Sequence, residues 1–329
     1  MNKENRIATL DIAKGIGILL VVIGHCYSKY TKIQGIIYGC HMPLFFIISG
    51  VIYGKRNKEF SFNFNKKIKN LIVPFLFFEF MWFFILMIMN IKNPTWNGKE
   101  ILIKIISFRG NIATWYLPCL FLTEFYFWIC LKMNKPKIAL TLLFIFGLIL
   151  PNKFNGTLLV FLRPLVALGF FGIGYFGFNY FKVSINKVLI FILAIVYVIV
   201  TLKNGFILFY VRQFNNILLF IFTSIVGTYL ILQSSDFIAQ KANNSKLLKK
   251  ISSQLCYFGE NSLSIMCIHM FLIEIIRMLD YKFFGEILPS FGEFEGLILG
   301  LFVFCCCLLI IPVLNKYFWF LVGKKKNLN

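Results

Sequence analysis

The stretch LDIAKGIGILLVVIGH, Leu10–His25, decides how the rest of the chain is read. Between Asp11 and His25 it carries one further charge, Lys14, and otherwise only apolar residues and glycine. The apolar run around it covers 8–28, enough to cross a hydrocarbon core that needs about 20 helical residues. It has charges inside it and no small-residue cleavage site, so it is expected to remain as a first membrane span and not to be removed as a signal peptide.

Further apolar runs bounded by charges follow at 33–54, 70–91, 115–131, 138–151, 157–181, 187–202, 217–233, 258–279 and 294–322. Helices are the default for such runs, because a helix satisfies its own backbone hydrogen bonds in lipid. The expectation is an all-α polytopic membrane protein with about ten transmembrane helices in one bundle, forming a single domain over 1–329 with no appended soluble domain. Composition agrees: 59% of the 329 residues are hydrophobic, 14% are charged and mean hydropathy is +0.79. A soluble domain has about a quarter of its residues charged.

A net charge of +21 would ordinarily suggest nucleic acid as a partner. Here the basic residues fill short loops between apolar runs, so they report membrane orientation and argue against nucleic acid. Lys55, Arg56, Lys58, Lys66, Lys67 and Lys69 occupy the second loop, Lys132, Lys135 and Lys137 the fourth, Lys241, Lys246, Lys249 and Lys250 the eighth, and Lys324, Lys325 and Lys326 the tail. With ten spans these share one side with Lys3 and Arg6, which places both termini in the cytoplasm. Glu286, Glu293 and Glu295 fall in the last outer loop. The segment Glu100–Arg109 has apolar residues at helical spacing and is expected to lie in the outer interface.

The nine cysteines contain no C-x-x-C pair, and Cys305, Cys306 and Cys307 lie within an apolar run, so neither a disulfide nor a zinc site is implied. Three scattered histidines without H-E-x-x-H spacing argue against any metal site. Gly172, Gly174 and Gly177 spell G-x-G-x-x-G, but inside a Phe-rich apolar helix, where close helix packing explains them better than phosphate binding.

Ionisable residues inside spans are functional candidates because each is costly unless paired or hydrated. They are Asp11, Lys14 and His25 in span one, His41 in span two, Glu79 in span three, Glu124 in span four, Arg163 in span six, and His269, Glu274 and Arg277 in span nine. Lys14 and His25 are eleven residues apart, within about 20° of a whole number of turns and about 16 Å along the axis. Both therefore point the same way, with Asp11 one turn before Lys14 to neutralise it. His41 should lie at a different depth from His25, so that direct contact would need a kink at Pro43. Glu124 is a candidate to orient a histidine or receive a proton. Trp115 and Tyr116, at the outer boundary of span four, are read either as part of an aromatic belt or as lining a sugar site.

Leu10–His25, followed by HMPLFFIISG (His41–Gly50), resembles the membrane-bound acyltransferase 3 family: a basic residue, ten intervening residues and a histidine, then a P-x-FF-x-x-SG run that includes Ser49. Lys14 stands where arginine is more frequent. TWYLPCLFLTE (Thr114–Glu124), RPLVALGFFGIGYFG (Arg163–Gly177) and GENSLSIMCIHM (Gly259–Met270) resemble later family segments in order. The stretch KKIKNLIVP has Asn70 where arginine is common, leaving Lys66, Lys67 and Lys69 as substitutes.

The resemblance implies transfer of an acyl group, most often acetyl, from acyl-CoA to a hydroxyl of a cell-envelope polysaccharide or lipid-linked sugar at a bacterial plasma membrane. Membrane lipid, acyl-CoA and the glycan are the implied partners; acyl-CoA is a donor substrate and no cofactor is implied. His25 is expected to act as general base, since imidazole accepts a proton near neutral pH, or as nucleophile through an acyl-imidazole. Lys14 would meet the donor as a point charge. His25, Lys14 and Glu124 form the expected catalytic set, with Asp11, His41, Ser49, Trp115, Arg163 and His269 as substrate-binding candidates. A transporter or flippase for a lipid-linked sugar is the competing reading, although no paired halves with interrupted helices are visible. A sensor or scaffold without chemistry leaves the Lys14–His25 alignment unexplained.

Overall fold

The computed structural model describes residues 3–54, 61–90, 97–111, 113–150, 156–181, 185–285 and 287–322, with backbone alone for 3–7, 88–90 and 178–181. Lys55, Arg56, Lys58, Glu286 and Lys324, Lys325 and Lys326 lie outside the described residues, as do the side chains of Lys3 and Arg6. In chain order the helices are α1 (Lys3–His25), α2 (Lys32–Tyr38), α3 (His41–Gly54), α4 (Phe64–Lys67), α5 (Val73–Asn90), α6 (Gly98–Ile106) and α7 (Tyr116–Leu131). They continue with α8 (Pro136–Ile149), α9 (Thr157–Phe181), α10 (Lys187–Asn204), α11 (Ile217–Lys241), α12 (Lys246–Glu260), α13 (Ser262–Phe284) and α14 (Glu295–Tyr317). Among the described residues the one β-type pairing is an isolated bridge between Leu208 and Gln213.

Among the described residues eight helical segments are long and apolar enough to cross a membrane, and the shorter α7 and α8 stand where the fourth and fifth spans were expected. The chain is an all-α polytopic membrane protein. Helix starts are marked by side-chain caps that satisfy otherwise orphaned amides: Thr31, Asn63, Asn97, Asn186, Asn216 and Ser245 each accept from a backbone N–H two or three residues on.

Two compact units are distinguishable. The first comprises Met1–Asn57, Phe170–Phe209 and Gln213–Leu308. Within it α1 packs along α12 and against α2, α3, α11 and α13. The α1–α12 approach depends on glycine: a Cβ on Gly15 would overlap the Leu255 carbonyl, and one on Gly259 the Asp11 carbonyl. A Cβ on Gly174 would likewise overlap the Ile47 carbonyl, so close packing of α9 on α3 accounts for that member of the glycine triplet.

The ninth span, expected at 258–279, starts and ends later in the structure. The helix breaks at Asn261, and α13 begins at Ser262 and runs to Phe284. Lys246, Lys249 and Lys250, read from the sequence as loop residues, are exposed on α12, whose Ser252 and Gly259 are buried. A helix polar on one face and packed on α1 by the other has too little hydrophobicity to merge with the span that follows.

The second unit comprises Lys58–Gly169, Tyr210–Arg212 and Leu309–Asn329. Here α4 passes through a π-helical segment, Ile68–Ile72, into α5. That segment packs against α7, which in turn packs on α8. Helix α6 buries Ile101 and Ile105 beside Leu86 and leaves Leu102, Ile103 and Ile106 exposed. Apolar side chains facing outward on a short surface helix suit a membrane interface.

Candidate active site

His25 is the last residue of α1, and its Nδ1 lies 2.8 Å from Nε2 of His269 on α13. The rings are parallel to within 8° with centroids 5.1 Å apart. That separation exceeds the N···N distance by about two ring radii, so the imidazoles meet edge to edge in one plane. His269 is fully buried, and its Nδ1 faces the Ile265 carbonyl at 2.9 Å.

These contacts fix the tautomers. A carbonyl only accepts, so Nδ1 of His269 carries the hydrogen and donates it to Ile265. In neutral His269 the other nitrogen, Nε2, is then an acceptor, and His25 must donate to it from Nδ1. The lone pair of neutral His25 is left on Nε2. A proton taken up there makes His25 an imidazolium whose bond to His269 becomes charge-assisted.

The end of α1 is held by a set of contacts that place this imidazole. The Gly24 carbonyl, an acceptor that the ending helix leaves open, accepts from Gln34 Nε2 at 2.8 Å and from the Tyr38 hydroxyl at 3.2 Å. Arg277 donates to the Cys26 carbonyl at 2.7 Å and pairs with buried Glu295 at 3.0 Å. Glu295 also accepts from the Ser28 amide at 3.0 Å and the Ser28 hydroxyl at 2.8 Å. Glu293 accepts from the amides of Lys32 and Ile33 at the start of α2. From sequence Glu293 and Glu295 registered only as outer-loop charge. A carboxylate at the very edge of an apolar run, as Glu295 is, was the available signal.

Elsewhere in this unit, Lys14 Nζ pairs with Asp11 at 2.7 Å, one turn apart on α1, and both remain part-exposed. His41 is buried and donates from Nδ1 to the Ile37 carbonyl at 3.1 Å. Tyr38 has its ring 6.3 Å from His25 and 4.7 Å from His41, so a tyrosine stands beside both histidines. Ser49 donates to the Phe45 carbonyl of its own helix at 2.8 Å.

In the second unit Glu124 is buried and ion-paired with Lys67. Of the three lysines that stand near the missing arginine, this is the one the fold selects, at the residue where α4 gives way to the π segment. Glu79 accepts from the Thr114 hydroxyl and, at 2.9 Å, from the Asn111 amide. The Asn111 side chain accepts in turn from the amides of Ala113 and Thr114 at 2.8 and 2.9 Å, an Asx turn that delivers buried Trp115 to the start of α7. Arg163 is buried on α9 with its guanidinium carbon 5.5 Å from the Trp115 ring centre and 4.4 Å from that of Tyr210. Tyr210 carries no charge and sits in no apolar span, so sequence reading passed it over.

Of the expected site residues, the fold brings His25 and His269 together in one unit, where Asp11 and Lys14 also pair. Trp115 and Arg163 meet in the other, where Glu124 finds Lys67. No curated protein and no solved structure shows significant similarity to the chain. The family model described as an acyltransferase domain matches residues 7–316, nearly the whole chain, and the chain belongs to the acyltransferase 3 family of membrane acyltransferases.

Proposed function

We propose that this membrane acyltransferase moves an acetyl group from acetyl-CoA to a hydroxyl of a cell-envelope polysaccharide or lipid-linked sugar, in a bacterial plasma membrane, with both termini cytoplasmic. The observation that carries the reading is the relay Ile265 carbonyl–His269–His25, which leaves a lone pair on Nε2 of His25.

In the step we assign, Nε2 takes the proton of the acceptor hydroxyl as its oxygen attacks the thioester carbonyl. The carbon–sulfur bond breaks, the ester forms, and the leaving CoA sulfur takes the proton back from the imidazolium. A positioned imidazole of this kind is worth roughly 10²–10⁴-fold in rate. His269 serves as a positioning residue, holding the ring of His25 and its tautomer. Lys14, kept available by Asp11, meets a phosphate or the carbonyl of the donor in the cytoplasmic half of α1. Lys14→Ala should then mainly raise the KM for donor, and Lys14→Arg should be tolerated.

The test is CoA release and label transfer from radiolabelled acetyl-CoA by purified protein supplied with membrane glycans. A transporter of lipid-linked sugar would release no CoA. Label remaining on the wild-type protein itself, and lost in His25→Ala, would instead make His25 the nucleophile.

A further inference from the structure

In the second unit three arginines, Arg109, Arg163 and Arg212, hold buried guanidinium N–H groups with no acceptor among the described residues. Nε of Arg163 and Nε of Arg109 are both in this state. Arg163 is 2% exposed. The backbone acceptor it reaches is the Arg109 carbonyl, at a long 3.4 Å. Arg109 is close enough for its charge to repel that of Arg163. Among the described residues neither takes part in an ion pair. Two like charges, one of them buried, without a carboxylate are an expensive arrangement in a bilayer protein, where buried charge is paired or neutralised.

The surroundings are built to keep the pair in place. The Trp115 and Tyr210 rings, 5.9 Å apart, both face the Arg163 guanidinium. Two residues after Tyr210, Arg212 is fully buried at φ 59° and donates to the Gly147 and Leu150 carbonyls at the end of α8. A cation on the last carbonyls of a helix is a favourable cap, so Arg212, although its Nε and Nη1 are also left over, has a capping task that Arg163 and Arg109 lack.

We infer that Arg163 and Arg109 form a binding site for an oxyanion, so that the acyl acceptor is an anionic glycan, bearing either the carboxylate of an acidic sugar or the phosphate of a lipid carrier. A planar guanidinium with unused donors matches both groups. An aromatic pair beside it suits the apolar face of a sugar ring. With both termini cytoplasmic, the segments carrying Arg109, Trp115 and Tyr210 are all extracytoplasmic, the side on which envelope glycans are found. That the oxyanion belongs to the acceptor rests on the function proposed above, whereas the binding of an oxyanion does not.

The experiment uses the full-length protein in lipid nanodiscs without any acyl donor, so its failure would leave acyl transfer standing. Thermal unfolding and tryptophan fluorescence are followed during titration with sodium phosphate and with sodium acetate, against sodium chloride at equal ionic strength. Wild type should show a saturable rise in unfolding temperature beyond chloride. Saturation by phosphate alone supports a phosphate-bearing acceptor, and saturation that includes acetate supports an acidic sugar. Arg163→Gln should weaken the binding about tenfold or more, the loss expected of a hydrogen bond to a charged group. Should Arg163→Gln not fold, Arg163→Lys, which keeps the charge and loses the fork, should show weaker but measurable saturation. Wild type responding to phosphate and acetate only as to chloride, or a variant saturating like wild type, overturns the inference.

Discussion

In the first unit the histidine chain is closed at every link but one. Ile265 accepts from His269, His269 accepts from His25, and the remaining lone pair sits on His25 Nε2. In the second unit the polar centre is cationic and open, with N–H donors on Arg163 and Arg109 left over and two aromatic rings in place of a carboxylate. Imidazoles joined in series are neutral at rest and carry charge only while the proton is held, which suits chemistry inside a bilayer protein. Unsatisfied guanidinium donors cannot do that, because arginine does not give up its proton, and so they suit binding. On the function proposed above, the contrast gives bond-making to one region and recognition to the other.

The most severe test of the contrast is His25→Ala, which should cut acyl transfer by roughly 10²–10⁴-fold while the protein still inserts and folds. Full transfer from this variant would move the chemistry away from the histidine chain. Next in size is His269→Ala. It leaves the base in place but releases its ring, so kcat should fall roughly tenfold to a hundredfold with KM for both substrates little changed. His269→Gln, whose amide oxygen can accept from His25 Nδ1, should recover part of the loss. A purely structural role for His269 would show as lower stability with no such recovery.

How much of this was legible in the sequence varies from residue to residue. The ten apolar runs were legible because hydrophobic length is local, and the shared face of Lys14 and His25 followed from helical repeat alone. The partner of His25 was not, since 244 residues separate it from His269 and the meeting depends on the register of α13 against α1. Start and stop signals were there but outweighed by hydropathy: Ser245 caps α12 and Asn261 ends it, which would have divided 258–279 correctly. Tyr210 and Arg212 lie in an irregular segment between spans, where no periodicity points to a partner. Glu124 was visible as a buried charge, but its pairing with Lys67 depends on the π segment that follows Lys67, which composition does not announce.

A third test uses that pair, because it is the place where the second unit resembles an ordinary buried salt bridge. Glu124→Gln removes a carboxylate charge paired with the Lys67 ammonium and should destabilise the protein by about 3–5 kcal/mol, read from thermal unfolding in detergent. The double variant Lys67→Met, Glu124→Leu should recover most of that stability, since matched apolar replacements of buried pairs are often neutral. Its activity then decides the role of Glu124. Transfer near the wild-type rate makes the carboxylate a structural partner, and loss of transfer in a stable double variant returns Glu124 to the catalytic set. A smaller effect is expected at the α1–α12 contact, where Gly259→Ala forces a methyl against the Asp11 carbonyl and should cost about 1–3 kcal/mol.

The smallest expected effect falls on Ser49, a sequence candidate for substrate binding that belongs to the same unit as the histidine chain. Its hydroxyl donates to the Phe45 carbonyl one turn back on α3, the usual way a helix accommodates serine. That carbonyl also serves the helix ladder, so removing the hydroxyl strands no acceptor, and Ser49→Ala should change stability by less than about 1 kcal/mol. If the serine only completes its own helix, KM for donor and acceptor should stay at wild-type values. A rise of several-fold in either, with folding intact, would mean that the hydroxyl turns from Phe45 to a bound substrate, and the histidine unit would then share in recognition as well as chemistry.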